Sequence, residues 1–310
     1  MADVTRQNSV WKQLTTPEET IDLSELLHRW KAIDIVATIR GYGAVSIPFE
    51  LYSNIRGAVG RHLMRSASPE SINGGSCPWE PPCTNDILFG PKPELRVGRH
   101  LLSIPKPFVL LIDRNRDDLV ITVRLLGSTQ ELAREIRASL VAALREGIDW
   151  ARFANDTFLP TPTEIEVRQR ECVIRTDLSD SISHVELEFI TPIDCKNGDP
   201  VERPEIIFSR IATRTVLLAR WQGVKVEVDW LALSNAWRAL QFDNVDPGKS
   251  ALMKRKSTRT RQVFSSEGRL FSMTVTGDMA LVWPLLAIGE NTHVGRGTTY
   301  GLGRFTLMPA

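Results

Sequence analysis

Cysteine is scarce: four residues in a chain of 310. Cys77 and Cys83 flank Pro78-Trp79-Glu80-Pro81-Pro82, and a Cys-x5-Cys spacing with no His pair nearby is not that of a zinc knuckle. They read as free thiols in a packed insertion, which fits a reduced compartment. Histidine is nearly as rare, with five in all: His28, His62, His100, His184 and His293. No HExxH, no paired carboxylates in a metal-site setting, no P-loop and no Gly-x-Ser-x-Gly occurs. No metal and no cofactor is therefore expected. No uncharged apolar run reaches about 18 residues, so no membrane-spanning helix is expected. The first residues are polar and lack a signal-peptide core, which points to the cytoplasm. Charge of one sign is lacking too, since the net charge is +1. A uniformly basic nucleic-acid binder is thereby excluded, and clustering of charge matters more than its total.

What is present is enough apolar material for real cores: 42% hydrophobic residues over a length that suits one large or two ordinary domains. Ile33 to Ile39 is a β-branched run that reads as a first strand, and Pro48 breaks the chain after it. Leu51, Ile55, Val59 and Leu63 then repeat every four residues, so a helix is expected despite Gly57 and Gly60. Those two glycines invite close packing by another backbone. Residues 66–100 are rich in Pro, Gly, Ser and Asn and read as an insertion. Residues 104–112 and 118–126 read as strands about a turn at Arg114–Asp117. The clearest helix runs from Gln130 to Arg145, with Leu132, Ile136, Leu140 and Leu144 as its stripe and Gly147 at its end.

Residues 150–163 look like a linker. Strands are expected at 164–175, as a half-exposed hairpin arm, and at 184–193. Helices are expected at 21–30, 203–221, 230–240 and 279–288, and strands at 269–277 and 304–308. Lys254 to Gln262 holds five basic residues in nine: Lys254, Arg255, Lys256, Arg259 and Arg261. Such a run suits either a solvated loop or a clamp on a phosphate backbone.

The C-terminal stretch Gly289 to Phe305 is the most distinctive. Five glycines fall there, with His293, Arg296, Tyr300 and Arg304. Glycine at that density permits positive φ and close backbone approach, and successive free N–H groups can cradle an anion. The spacing fits no nucleotide fingerprint, because Gly301 follows Gly295-Arg296-Gly297 one place too late for GxGxxG. A plain glycine-rich turn before a last strand explains it equally well on glycine alone.

His-Val-Gly-Arg at 293–296 followed by Tyr-Gly-Leu-Gly-Arg-Phe at 300–305 resembles the glycine-rich loop of the RAMP superfamily. More narrowly, it is similar to the CRISPR-associated endoribonucleases that process precursor CRISPR RNA. Two further stretches carry the resemblance: the strand, proline and helix with Arg56-Gly57-Ala58-Val59-Gly60, and the segment Ser257, Arg259, Arg261, Gln262 ahead of a strand.

The resemblance implies an α+β fold of two tandem ferredoxin-like (RRM-like, RAMP) domains with a C-terminal glycine-rich loop. Their expected bounds are 1–155, with the Cys/Pro-rich insertion 66–100, and 156–310. It implies a metal-independent endoribonuclease that binds the CRISPR repeat as a stem-loop and cuts precursor CRISPR RNA. Attack by the 2′-OH would leave a 2′,3′-cyclic phosphate and a 5′-OH. The partners implied are that RNA and other CRISPR effector subunits, with no membrane. Such chemistry needs a base, an acid and cations, and histidine serves either proton role near neutral pH. The expected catalytic set is His62, His293, Arg61 and Tyr300. The expected RNA contacts are Arg56, Arg65, Arg99, His100, Lys254, Arg255, Lys256, Arg259, Arg261 and Gln262, with Gly295, Arg296, Gly297, Gly301, Gly303 and Arg304 of the loop. A non-catalytic RAMP subunit that holds CRISPR RNA is the alternative. A small-molecule enzyme whose loop binds a nucleotide is a more distant one.

Overall fold

The computed structural model describes residues 9–91, 93–97, 100–153, 161–176, 182–195, 199–256 and 263–309. The chain forms two compact units. One comprises the N-terminal residues to Thr20, Lys31–Cys172 and Leu217–Lys225, and the other Ile21–Trp30, Val173–Val216 and Val226–Ala310.

The first unit is built on β1 (Ala32–Ile39), α1 (Phe49–Met64), β2 (Phe108–Asn115), β3 (Asp118–Leu126), α2 (Ala133–Glu146) and β4 (Ile165–Glu171). Its sheet order is β2-β3-β1-β4, antiparallel throughout, which is the ferredoxin-like pattern of two interleaved βαβ halves. The β-branched run fixes the register. Ile33, Ile35, Ala37 and Ile39 are at most 5% exposed and face the helices. Leu119, Ile121, Val123 and Leu125 pair beside them, and Leu51, Ile55 and Leu63 of α1 with Ile136, Leu140 and Leu144 of α2 close the core. Each such side chain is worth about 1.5–3 kcal/mol on burial.

The residue that breaks the apolar run, Asp34, lies on the opposite face at 1% exposure. Arg124, its partner in register, holds it with two hydrogen bonds of 2.7 and 3.0 Å, and Arg170 approaches from β4 at 3.4 Å. An expectation is corrected here. Residues 165–171 are not a hairpin arm but the edge strand of this sheet, paired with β1 along its whole length. The insertion holds two short helices, Pro69–Ile72 and Thr84–Phe89, and a hairpin of Glu94–Val97 with His100–Ser103.

The second unit repeats the plan with β5 (His184–Phe189), α3 (Glu205–Leu218), β6 (Gln241–Lys256), β7 (Val263–Thr276), α4 (Trp283–Thr292) and β8 (Phe305–Pro309). The order β6-β7-β5-β8 is the same permutation as in the first unit. Val185, Leu187 and Phe189 alternate inward with Phe271, Met273, Val275, Phe305 and Leu307, against Ile207, Phe208 and Ile211 of α3 and Leu285 and Leu286 of α4. The helix Leu23–Arg29 belongs here and is capped by Asp22, whose carboxylate accepts from the Glu25 amide at 2.8 Å. The last helix begins at Trp283 rather than Met279, because Pro284 suits its first turn.

β6 and β7 outrun the sheet. β7 pairs with β5 only over 272–276, while β6 and β7 pair from Gln241↔Thr276 out to Lys256↔Val263. Gly248 permits the bulge in this ribbon: its φ is +57, and a Cβ there would lie 1.6 Å from the Leu270 carbonyl oxygen. Among the described residues no helix is long and apolar enough to cross a membrane.

Candidate nucleic-acid interface

The first cluster of candidate residues sits where α1 ends. Arg61, His62 and Arg65 occupy its last turn and C-cap. Arg61 is exposed and its Nη2 donates to the Gly147 carbonyl at 3.1 Å. That carbonyl lies just past the end of α2, where a cation is favoured by the helix dipole. Gly147 also lets the two helices approach, since a Cβ there would lie 2.7 Å from the Ala58 methyl. Arg65 reaches Glu146 at 4.0 Å. His62 is half-buried among these groups. Its pKa lies below the ordinary 6.5, first through desolvation, then through Arg65 and Arg61, with Glu146 opposing. The imidazole is therefore held neutral at neutral pH, the form that accepts a proton.

Arg56 has a different task. Its guanidinium lies 4.7 Å from the Phe89 ring centroid and 5.9 Å from that of Phe108. The side chain expected to meet RNA is thus stacked between α1, the insertion helix and β2. Gly60 is small for the same neighbour: a Cβ would come 3.1 Å from Phe89.

The second cluster is the glycine loop between α4 and β8. Its glycines serve the loop's own fold. Gly295, Gly297, Gly301 and Gly303 all have positive φ. A Cβ on Gly303 would lie 1.7 Å from the Val294 carbonyl oxygen, and one on Gly295 2.7 Å from that of Asp194. Many loop N–H groups are already engaged. Val294 donates to Gly303, Arg296 to Asp194, Tyr300 to Gly297 and Gly303 to Pro192, at 2.7–3.0 Å. The simple picture of an open amide cradle for phosphate is corrected accordingly. What the loop presents outward is an exposed Arg296, whose Nη1 is 3.6 Å from Asp194, with half-buried Tyr300 and Arg304.

His293 begins the loop at φ +60 and is 0% exposed. Arg214, on α3, donates to the Thr292 carbonyl at 3.1 Å, placing a cation at the end of α4. Thr191 was missed from the sequence. Its hydroxyl donates to the Gly301 carbonyl at 2.6 Å and accepts from the Arg304 amide at 2.9 Å, so one side chain ties both loop arms. A lone threonine 110 residues before its partner gives no local signal.

His62, Arg61, Arg56 and Arg65 belong to the first unit and His293, Tyr300 and the loop to the second. Lys254, Arg255 and Lys256 end β6, and His100 opens the second strand of the insertion hairpin. Arg99, Arg259, Arg261 and Gln262 lie outside the described residues. No group of three or more potential metal ligands is found among the described residues.

Among the described strand positions that face away from the helices are Asp34, Arg124, Arg168 and Arg170 in one unit and Glu186, Glu188, Thr274 and Met308 in the other. None of these eight side chains is aromatic.

Two ferredoxin-like units with a glycine loop ahead of the final strand are the arrangement that the RAMP resemblance implies. Residues 187–305 match the family model described as CRISPR-associated endoribonuclease Cas6. The resemblance read from the loop is thus supported over residues 187–305, where the chain is similar to that family. Among solved structures, a Cas6 product complex aligns at a TM-score of 0.50 and 14% identity, covering 90% of this chain and 99% of the other. A Thermus thermophilus Cas6 gives 0.49 and 13% over the same shares. At these identities the likeness concerns the fold. No curated protein matches by sequence.

Proposed function

We propose that the protein processes precursor CRISPR RNA, cutting it within the repeat. The family match over 187–305, which takes in the glycine loop at its end, is the observation that supports this reading most. In the reaction His62 removes the 2′-OH proton. The 2′-oxygen attacks the adjacent phosphorus, the bond to the 5′-oxygen breaks, and that oxygen leaves protonated. The products are a 2′,3′-cyclic phosphate and a 5′-OH. Arg61 and Arg65 flank His62 with the positive charge that a dianionic phosphorane needs. The loop contacts RNA through Arg296 and Arg304, with Tyr300 in the same loop. His293, being buried, supports the loop's first turn rather than touching RNA. The basic segment 254–262 clamps the backbone, and other CRISPR effector subunits are the remaining class of partner.

The test is cleavage of a labelled repeat RNA in EDTA, with and without a 2′-deoxy substitution at the cut. One cut, abolished by the substitution, is expected. His62→Ala is expected to lower the single-turnover rate by about 10²–10⁴-fold with RNA affinity unchanged. Tight binding without a cut in the wild type would favour the non-catalytic subunit.

A further inference from the structure

A second basic surface lies on the outer face of α2. Arg134, Arg137 and Arg145 border an open depression of about 460 Å³ floored by Ala138, Val141 and Ala142. The core-facing residues of the helix, Ile136, Leu140 and Leu144, point the other way. The charges on this helix are sorted. Glu135 is engaged by the Ser66 and Thr84 hydroxyls, and Glu146 by Arg65. By contrast, Arg134, Arg137 and Arg145 form no ion pair among the described residues, whereas Arg29, Arg40, Arg168, Arg203, Arg269 and Arg296 do. Three unneutralised guanidinium groups along one stripe of a helix repel one another and call for a polyanion.

The depression also runs into the candidate cleavage centre. Glu146 lines it and pairs with Arg65, and Arg61 donates to the next residue's carbonyl. The arginines span about 16 Å at 1.5 Å per residue, the reach of a few nucleotides. The alanine and valine floor lets riboses and bases come down to the helix, while arginine planes stack on bases and hold phosphates.

We propose that this face of α2 guides the single-stranded RNA that flanks the repeat stem away from His62. The proposal rests on the RNA-processing reading and adds a binding track to it. The substrate is then recognised as a stem plus one tail, and the tail on α2 is the one that continues from the scissile phosphate.

The experiment compares three RNAs on the full-length protein: the repeat stem-loop alone, and the same stem-loop with a single-stranded extension on the 5′ or the 3′ side. Affinity is measured across a salt series for the wild type and for the triple variant Arg134→Ala/Arg137→Ala/Arg145→Ala. These side chains are solvent-facing, so folding is retained, and circular dichroism checks it. The wild type is expected to bind one extended RNA more tightly than the bare stem. The variant should lose about tenfold on that RNA and little on the bare stem. Its log Kd against log salt should flatten by about 2, at about 0.7 per released single-strand phosphate contact. Replacement by lysine at the three positions should retain the salt slope. Equal losses on all three RNAs, or none on any, overturns the track. A wild type that binds no repeat RNA at all instead sinks the functional reading on which it stands.

Discussion

The two units share one strand permutation and differ in where their extra chain lies. The first widens the α1–β2 connection into the 65–107 insertion and carries Arg61, His62 and Arg65 at a helix end. The second lengthens its central hairpin and folds the α4–β8 connection into a glycine loop. In the first unit, candidate groups such as His62 and Arg61 stand off a helix whose fold does not depend on them. In the second, the loop's shape is set by backbone atoms in mutual contact, with Gly303 against Val294 and Gly295 against Asp194. Trimming Arg61 or His62 should therefore cost chemistry in the first unit, whereas adding one methyl to the loop should cost structure in the second.

The sharpest test of that contrast is Gly303→Ala. Its new methyl would lie 1.7 Å from a carbonyl oxygen at φ +67. A loss of about 4 kcal/mol in unfolding free energy is expected, with hydrogen exchange rising in peptides spanning 289–309. A variant as stable as the wild type would erase the distinction between the units. The counterpart in the first unit is Asp34→Ala, which strips Arg124 of its two-point carboxylate in a site that is 1% exposed on the aspartate side. About 3 kcal/mol should be lost, with exchange rising in 32–39 and 118–126 instead. If Asp34→Ala left stability untouched, the buried ion pair would be no part of that sheet's frame.

A smaller effect is expected for Thr191→Val, which keeps the shape and removes both hydroxyl bonds to the loop. The loss should be about 1–2 kcal/mol, and RNA affinity should fall because Arg304 is no longer fixed. Unchanged affinity would separate the loop's order from its binding. The smallest effect on stability concerns His62. Its folded pKa lies below 6.5, so its contribution is complete above that pH and is lost as pH falls through the folded value. In cleavage the same shift has a larger readout. The acid limb of the rate profile should lie below pH 6.5 and vanish in His62→Ala, and a limb at or above that pH would remove His62 as the base.

Much of the frame was legible because it rests on local periodicity. The alternation in Ile33–Ile39, the four-residue repeat of α1 and the stripe of α2 each report which face is buried, whatever covers it. The loop was legible as a motif, yet the reason for its glycines was not. Their neighbours are Val294 and Asp194, and only the folded chain brings the latter close. Strand Ile165–Glu171 was misplaced for a related cause: its alternating charges mark an edge strand, but the strand it joins lies more than a hundred residues earlier. Arg56 looked like a phosphate ligand in a basic run, and Phe89 and Phe108 claim it from outside that run.

The sequence by itself determined most element types, since these follow from patterns within a dozen residues, while the two-unit plan and the reading of the loop came from the resemblance. The tertiary structure alone decided which charges are spent inside the fold and which face outward. It buried Asp34 against Arg124 and put His293 under the loop. It also tied the loop with Thr191 and left Arg134, Arg137 and Arg145 facing solvent. A side chain's electrostatic role depends on burial and on partners brought together by chain closure, and neither is encoded within a short window of sequence.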